Sequence, residues 1–549
     1  MDSRAQELIK QGDNLFGKKA SLLNFWQELA ENFHPIRADF TSKITDGDDL
    51  TGHLSTSYPL LAFRDLHNSF SSMLRRRGTH WFGIRTGRDE LEEGANLEWL
   101  EWATGIQYRA MYDSQAKLIR ATKEGDGDFA LTGQAVISVD KNRFGDALLF
   151  RNWHLRDVAW AENAEGDVDT IHRKWKPTAR DLKFTFGDRV HSAVNKCLEP
   201  GKNPFQTFEC RHVMIPTERA GDVPRGQGRF AFRSYYIDVE NQHVMEDAPS
   251  RLLRYIVPRW QTVSGSPYAY SPAAIAALPD SRMIQAMTYT LLDAGEKATQ
   301  PPMIAQADMI KSDMEMWAGG TTWVDAEYDE RLGDALRPVP LDLRGIPIGV
   351  DMARDARQMI ASAFYLDKLN LPPSEGREMT AYETSQRVQE YIRQALPLFE
   401  PVETEYNGAL CMMAFETLLH SNAFAGREMP ADLSDANVEF KFTSPLQENE
   451  SRQDAQIYLE TKALLADAAA LDPSLVGMVD ARVALRDALK GVGTPARWTR
   501  TDDELDEIAA MAEEELQGQQ VIDGLTQAGE AAQSMGAGAA AMNEAMSDA

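Results

Sequence analysis

Two stretches decide the fold: Ser271-Pro272-Ala-Ala-Ile-Ala-Ala-Leu-Pro279-Asp280 opens one long apolar-periodic run, and Asp351-Met352-Ala-Arg-Asp-Ala-Arg-Gln-Met359-Ile360 opens another. Ser271 is placed to accept from the first turn of a helix, and Pro272 suits the first helical position, where no amide hydrogen is needed. Pro279 restarts or kinks the helix, after which Met283, Ile284, Met287, Leu291 and Leu292 fall on one stripe. Pro301-Pro302 ends that run. In the second run Met352, Met359, Ile360, Ala363 and Phe364 share a side, and Leu371-Pro372-Pro373 ends it. The spacing predicts helices over 271–299 and 350–370 around an insert, 300–349, with strand-like MIAQA, TTWVDA and LRPVPL pieces. Two helices of matched length bracketing an insert pack as an antiparallel pair with the insert at their far end.

Outward from this hairpin, residues 371–379 form a short loop, since Pro372-Pro373 stops either helix from running through and Gly376 permits a reversal. Thr380 and Glu383 then make a capping box for further helices in 380–447. Helices are expected again across 448–520. Upstream, residues 1–122 read as helices: Leu22 to Ala30, Leu60 to Leu74 and Leu97 to Ile119. The texture changes over 129–262. AVISVD, ALLFRNW, DVAWA, TIHRKW, FECRHVMI, AFRSYYIDV and LLRYIVPRW are short and rich in β-branched or aromatic residues, with a short helix near Thr178–Phe184. The fold class is α+β, mainly α.

The chain has 549 residues, enough for several structural units, and its 43% hydrophobic and 26% charged content is that of a globular protein. Three cysteines, Cys197, Cys210 and Cys411, make no disulfide framework and fit a reducing compartment. No apolar run is long enough to span a bilayer, and MDSRAQELIK lacks a signal-peptide core, so a soluble protein that stays in the cytoplasm where it is made is expected. The net charge of −27 argues against gripping nucleic acid by general electrostatics. Twelve acids and no base lie between Asp502 and Asp548, and no aromatic follows Trp498. The segment 521–549 therefore has little to bury and is expected to be mobile.

Gly12-Asp-Asn-Leu-Phe-Gly17-Lys18 has the spacing of a phosphate-binding loop, but position 19 is Lys and no buried strand precedes it. An exposed helical turn is the expected reading. His191, Cys197, Cys210 and His212 lack the close pair of a zinc knuckle. No other catalytic signature is present, so no enzyme, cofactor or metal is expected. Arg75-Arg76-Arg77, with Arg64, His80 and Arg85 nearby, could meet DNA phosphates, but pairing with acids of the same or an adjacent chain is the stronger expectation.

Arg259-Trp260, Tyr268-Ala-Tyr-Ser271-Pro272, Pro279-Asp280, Glu296-Lys297, Pro301-Pro302, Met379-Thr380-Ala-Tyr-Glu383, Arg387 and Glu390 together resemble the head-to-tail connecting (portal) proteins of short-tailed bacteriophages. Trp26, Pro35, Trp81-Phe82, Gly133, Gly166, Arg173 and Thr178 follow the same order upstream, and Ala269 departs from the family's usual glycine. The resemblance covers about residues 5–430. It implies a ring of about twelve chains at one capsid vertex, through which the genome is packaged and ejected. It further implies a wing (1–270), a two-helix stem (271–299 and 350–370), a clip (300–349), a tunnel loop (371–379), wing helices (380–447) and a crown (448–520). The partners implied are the major capsid protein, scaffolding protein, terminase, a tail adaptor and the double-stranded DNA in the channel. The resemblance implies a virion protein assembled in the host cytoplasm, with no membrane partner. The tunnel-loop candidates are Pro372, Pro373, Glu375, Gly376 and Arg377; Arg377 is the sole base among them. Between Asp308 and Arg344 nine acids face four bases, so the clip would repel phosphates and let DNA slide. A packaging-motor ATPase or nuclease, and a generic acidic capsid or scaffold component, are the competing readings.

Overall fold

The computed structural model describes residues 2–78, 80–221, 228–305, 310, 323, 336–340, 345–369, 400–433, 437–442, 455, 457–467, 479–492, 494, 498–500, 504–508 and 510–511. The tunnel-loop residues 371–379, the motif residues Thr380, Glu383 and Arg387, the segment 521–549 and most of 306–335 lie outside them. The chain divides into two compact units. The first comprises Met1–Trp81, Gln107–Ala423 and Phe442–Leu446, and the second Phe82–Ile106, Phe424–Lys441 and Gln447–Ala549.

The chain opens with α1 (Ser3–Lys18), α2 (Ala20–Phe33) and α3 (Tyr58–Ser69), the last running into a π-turn over Phe70–Leu74. Strand β1 (Phe82–Arg85) interrupts the expected helical stretch, followed by α4 (Gly94–Met111) and α5 (Leu118–Thr132). The single run expected over Leu97–Ile119 is thus two helices. Asp113 accepts from the Gln115 amide at 2.7 Å, an Asx turn that competes with the helix, and Lys117 adopts φ +59° before α5 begins.

The β-rich block holds β2 (Ile137–Lys141), β3 (Leu148–Asn152), β4 (Val158–Glu162) and β5 (Val168–Trp175). After α6 (Ala179–Phe186) and α7 (Ser192–Cys197) come β6 (Cys210–Pro216), β7 (Phe232–Asp238), β8 (His243–Ser250) and β9 (Tyr255–Ile256). Strands β4-β5-β6-β7-β8 form one antiparallel sheet in sequence order, and β3-β2-β9 a smaller one. Side chains alternate across the large sheet. Val213, Ile215, Tyr235 and Ile237 meet Ala5 and Leu8 of α1, whereas Cys210 and Phe208 join Leu182, Phe186 and Val194 of α6 and α7. Strand β8, His-Val-Met-Glu-Asp-Ala-Pro-Ser, is an edge strand whose mixed polarity hid it in the sequence.

The phosphate-loop look-alike lies within α1. Gly17 and Lys18 are exposed as expected, but Gly12 is buried: a Cβ there would sit 2.5 Å from Arg211 Nη1 and 2.6 Å from His172 Nδ1. Arg211 crosses the helix at this point, donating to Ile9 O at 2.7 Å and to Asp13 Oδ1 at 2.8 Å.

Short strands β10 (Gln261–Thr262) and β11 (Ala269–Tyr270) lead into α8 (Pro272–Thr299). Strands β12 (Met303–Ala305) and β13 (Leu336–Pro338) pair antiparallel, and α9 (Gly345–Ala363) and α10 (Leu366–Leu369) follow. Helix α8 runs unbroken through Pro279. Pro279 and Ile275, whose carbonyl loses its donor, are both exposed, so water takes the bond that proline cannot supply. Helix α9 begins at Gly345, inside the stretch expected as insert, and ends where Tyr365 takes φ +57°. The two helices are therefore unequal, 28 against 19 residues. The chain continues through a π-turn (Val402–Gly408) into α11 (Ala409–His420) and strand β14 (Glu439–Phe442). Strand β14, in the stretch expected to be helical, pairs with β1. In the second unit Trp99, Trp102 and Phe424 cluster, and Arg427 donates to Glu98 at 2.7 Å.

Four histidines of the first unit are held neutral. Burial lowers His34, and burial with His34 and Lys123 nearby lowers His67 to about 4. Burial beside Arg211 takes His172 to about 3, and burial with Arg173 close by takes His212 well below its ordinary value. An unfolded chain protonates these rings near pH 6.5, so it binds more protons than the fold does from there downward. Stability is present above that pH and falls as pH drops towards 4, by about 1.4 kcal/mol per pH unit for each ring kept neutral. Denaturant unfolding at pH 7, 6, 5 and 4 checks this, and His67→Gln should shallow the decline; an unchanged slope in that variant would contradict it.

Candidate functional site

The hairpin of α8 and α9 grows from the C-terminal end of α5. Ser271 donates to Ala130 O at 2.6 Å and accepts from the Ala274 amide at 3.1 Å, so one hydroxyl caps α8 and ties it to α5. Gly133 ends α5 at φ +83°, and a Cβ there would lie 2.1 Å from the Tyr270 carbonyl carbon and 2.5 Å from the Ser271 nitrogen. Only glycine admits both that backbone and that approach. Gly133 O accepts from the Trp260 amide at 2.8 Å, and the Trp260 ring stacks on Phe129 with centroids 5.3 Å apart. Tyr268 fits between Trp160, at 4.6 Å, and Trp26, at 6.0 Å. Four motif residues picked out in the sequence, Trp260, Tyr268, Ser271 and Pro272, thus meet at the root of the hairpin.

Above the root, α2 clamps both helices. Asn32 accepts from Ser281 of α8 at 3.0 Å, while its neighbour Phe33 meets Phe364, just beyond α9, edge-on at 5.2 Å. At the other end, a Cβ on Gly349 would lie 2.9 Å from Leu291 Cδ2. The early part of α8 therefore faces the end of α9, and its later part the start of α9, which makes the pair antiparallel as expected. Gln285 fixes the segment before α3, accepting from the Ser55 and Thr56 amides at 2.7 and 2.9 Å. Beyond that point burial stops: no residue of α8 from 286 to 299 and none of α9 from 345 to 352 is buried. Apolar side chains remain there nonetheless. Tyr289 is 70% exposed, Leu292 57%, Ile348 64% and Met352 51%. The single stripes read from the sequence are thus split, with Ile284, Ile360 and Phe364 inward and Met283 and Met359 outward. Pro279 is exposed and Asp280 half-buried; Pro302 O accepts from the Val339 amide at 2.8 Å and closes the β12–β13 pair.

The central helix α5 carries two buried aspartates. Arg75 donates to both Asp126 oxygens and, at 2.9 Å, to Asn407 Oδ1, with Tyr406 beneath its guanidinium. The leading arginine of the basic triplet is therefore an internal tie, as the pairing expectation had it. Arg37 grips Asp128 with two bonds of 2.7 and 2.6 Å, and Asn152 adds a third at 2.7 Å. Burial alone would raise Asp128, but the Arg37 guanidinium holds its carboxyl below the ordinary value. His212 is satisfied by Tyr255 and Ser234, and Cys197 and Cys210 lie on separate elements. Among the described residues no cluster of His, Cys, Asp or Glu could hold a metal, and no helix is long and apolar enough to cross a membrane.

Residues 5–499 of the chain that carries this root and clamp match the family described as bacteriophage head to tail connecting protein. The chain belongs to that family. It is 23% identical over 440 residues to the probable portal protein of Bordetella phage BPP-1, covering 79% of this chain and 78% of that one. It is 22% identical over 433 residues to the portal protein of Salmonella phage epsilon15, covering 77% and 76%. A solved virion of a native gene transfer agent particle contains a chain 10% identical with a TM-score of 0.36, covering 75% of this chain and 88% of that chain.

Gly133→Ala and Ser271→Ala separate the two ties at the root. The first forces a Cβ into the Tyr270–Ser271 backbone and should cost well over about 1 kcal/mol. The second removes a cap and should cost about 1 kcal/mol. Thermal unfolding ranks them; equal, negligible losses would mean that the hairpin is anchored elsewhere.

Proposed function

We propose that the chain is the portal subunit of a phage, closing into a ring of about twelve copies whose lumen carries the genome in and out of the capsid. The observation that carries this reading is the unburied half of the hairpin. Tyr289, Leu292, Ile348 and Met352 would cost free energy if left in water, and a neighbouring copy covers such a face in a closed ring. In this reading α8 and α9 are the stem, and the clip, expected over 300–349, ends at 344 where α9 begins. The clip's excess of acids over bases keeps phosphates from sticking, so DNA passes without being held. Residues 1–270 would be the wing, 380–447 its later helices and 448–520 the crown. Terminase and then the tail adaptor would dock on the clip, with capsid and scaffolding protein around the wing.

The role is one of assembly and conduction, with ATP hydrolysis left to the terminase. The loop 371–379 would face the channel and touch phosphates through Arg377, one per subunit. Removing Ser374–Arg377 tests this. Sedimentation should still give rings of roughly 740 kDa, about twelve chains of 61.4 kDa, while packaged genome falls. Normal filling would end the channel-loop assignment. Failure to form rings would make the loop a connector between helices.

A further inference from the structure

A cavity of about 960 Å³ opens on the α6 side of the large sheet, far in sequence from the hairpin's exposed half. Its walls come from β2, β3, β5, β7 and β8, from α6 and the 249–254 segment, and from the end of α11. Six cations line it, among them Arg151, Arg173, Lys176 and Arg254, against three carboxylates. Each carboxylate already has a partner: Asp140 takes Arg254 at 3.4 Å, Glu246 takes Arg189 at 3.0 Å, and Asp181 takes the Thr178 hydroxyl at 2.6 Å. Arg151, Arg173 and Lys176 have no ion pair among the described residues.

Among the described residues Arg173 is held in place without a direct ion pair, with only the charge of Asp140, already bonded to Arg254, acting on it. It is 5% exposed, its guanidinium lies 3.8 Å from the centroid of the Trp153 ring, and its Nε donates to Tyr255 Oη at 2.9 Å. Tyr255 in turn meets His212 Nδ1 at 2.5 Å, and His212 Nε2 meets Ser234 at 2.8 Å, so the chain of bonds is anchored in the sheet. Arg173 Nη1 and Trp175 Nε1 are left buried with no hydrogen-bond partner. Orphaned buried donors are rare, and a buried guanidinium that leaves one donor unmet and shares the nearby Asp140 charge with Arg254 and Arg151 is under-compensated. Arg151 lies 4.6 Å over the same Trp153 ring, and burial with Arg173 beside it lowers its affinity for a proton. Phe186, Phe230 and Tyr236 give the same lining an aromatic part.

We propose that this cavity binds a small phosphate-bearing ligand, with Arg173, Arg151 and Lys176 on the phosphate and the aromatic wall against its organic part. Guanidiniums suit phosphate oxygens by geometry, and the volume is that of an ordinary small-molecule site. The site does not depend on the portal reading.

Calorimetric titration of the full chain with pyrophosphate and with ADP, at fixed ionic strength, tests it. Both should bind saturably, and Arg151→Gln, at an exposed position, should weaken both at least about tenfold while leaving the unliganded unfolding temperature unchanged. Arg173→Lys should abolish binding, with its fold checked by circular dichroism. No saturable binding, or binding indifferent to Arg151→Gln, would overturn the proposal. So would binding of a duplex oligonucleotide without pyrophosphate, which would make the patch a nucleic-acid surface.

Discussion

Two carboxylates buried inside one helix set the constraint on which the first unit depends. Asp126 and Asp128 lie two residues apart on α5, so they point to different sides, and each reaches an arginine from a different part of the chain. Arg75 brings in the end of the α3 π-turn and, through Asn407 and Tyr406, the segment before α11; Arg37 brings in the 3-10 turn Pro35–Arg37 that follows α2. Such pairs add little net stability over apolar packing, but removing one partner strands a buried charge at about 3–5 kcal/mol. Their effect is to allow one arrangement of helices about α5. Gly125 tightens that arrangement, since a Cβ there would lie 2.5 Å from the Tyr406 hydroxyl.

The hairpin inherits its position from the same helix. Phe129, Ala130 and Gly133, the last turn of α5, receive Trp260, Ser271 and the Tyr270 backbone. Charge at the middle of α5 thus fixes the body, and its end fixes the root of a projecting pair. That pair then leaves the body with its far half unburied and partly apolar, which is the surface a ring would use.

Much of this was legible in the sequence because it rests on local chemistry. The Ser271-Pro272 cap, the short helix near Thr178 and the β-branched and aromatic stretches of β2 to β7 announce themselves within a few residues. What was hidden depends on distant partners. Phe82–Arg85 is a strand only because residues near 440 pair with it. Gly12 looked like an exposed turn because Arg211, which crosses it, lies some two hundred residues on. The root residues Trp260, Tyr268 and Ser271 stood out through family resemblance, but their convergence on α5 could not be read from spacing. Arg173 stood out in the same way, and its unmet donor became visible only with Trp153, Tyr255 and the cavity around it.

In the proposed ring the α8–α9 hairpin finishes its burial against copies of itself around a channel. End-on electron microscopy of the purified chain tests it most directly. Closed rings of about twelve subunits with a central hole, lined at the level of the hairpins by α8 and α9, are expected. A field of monomers, or rings in which the hairpin's apolar face points away from its neighbours, would contradict it.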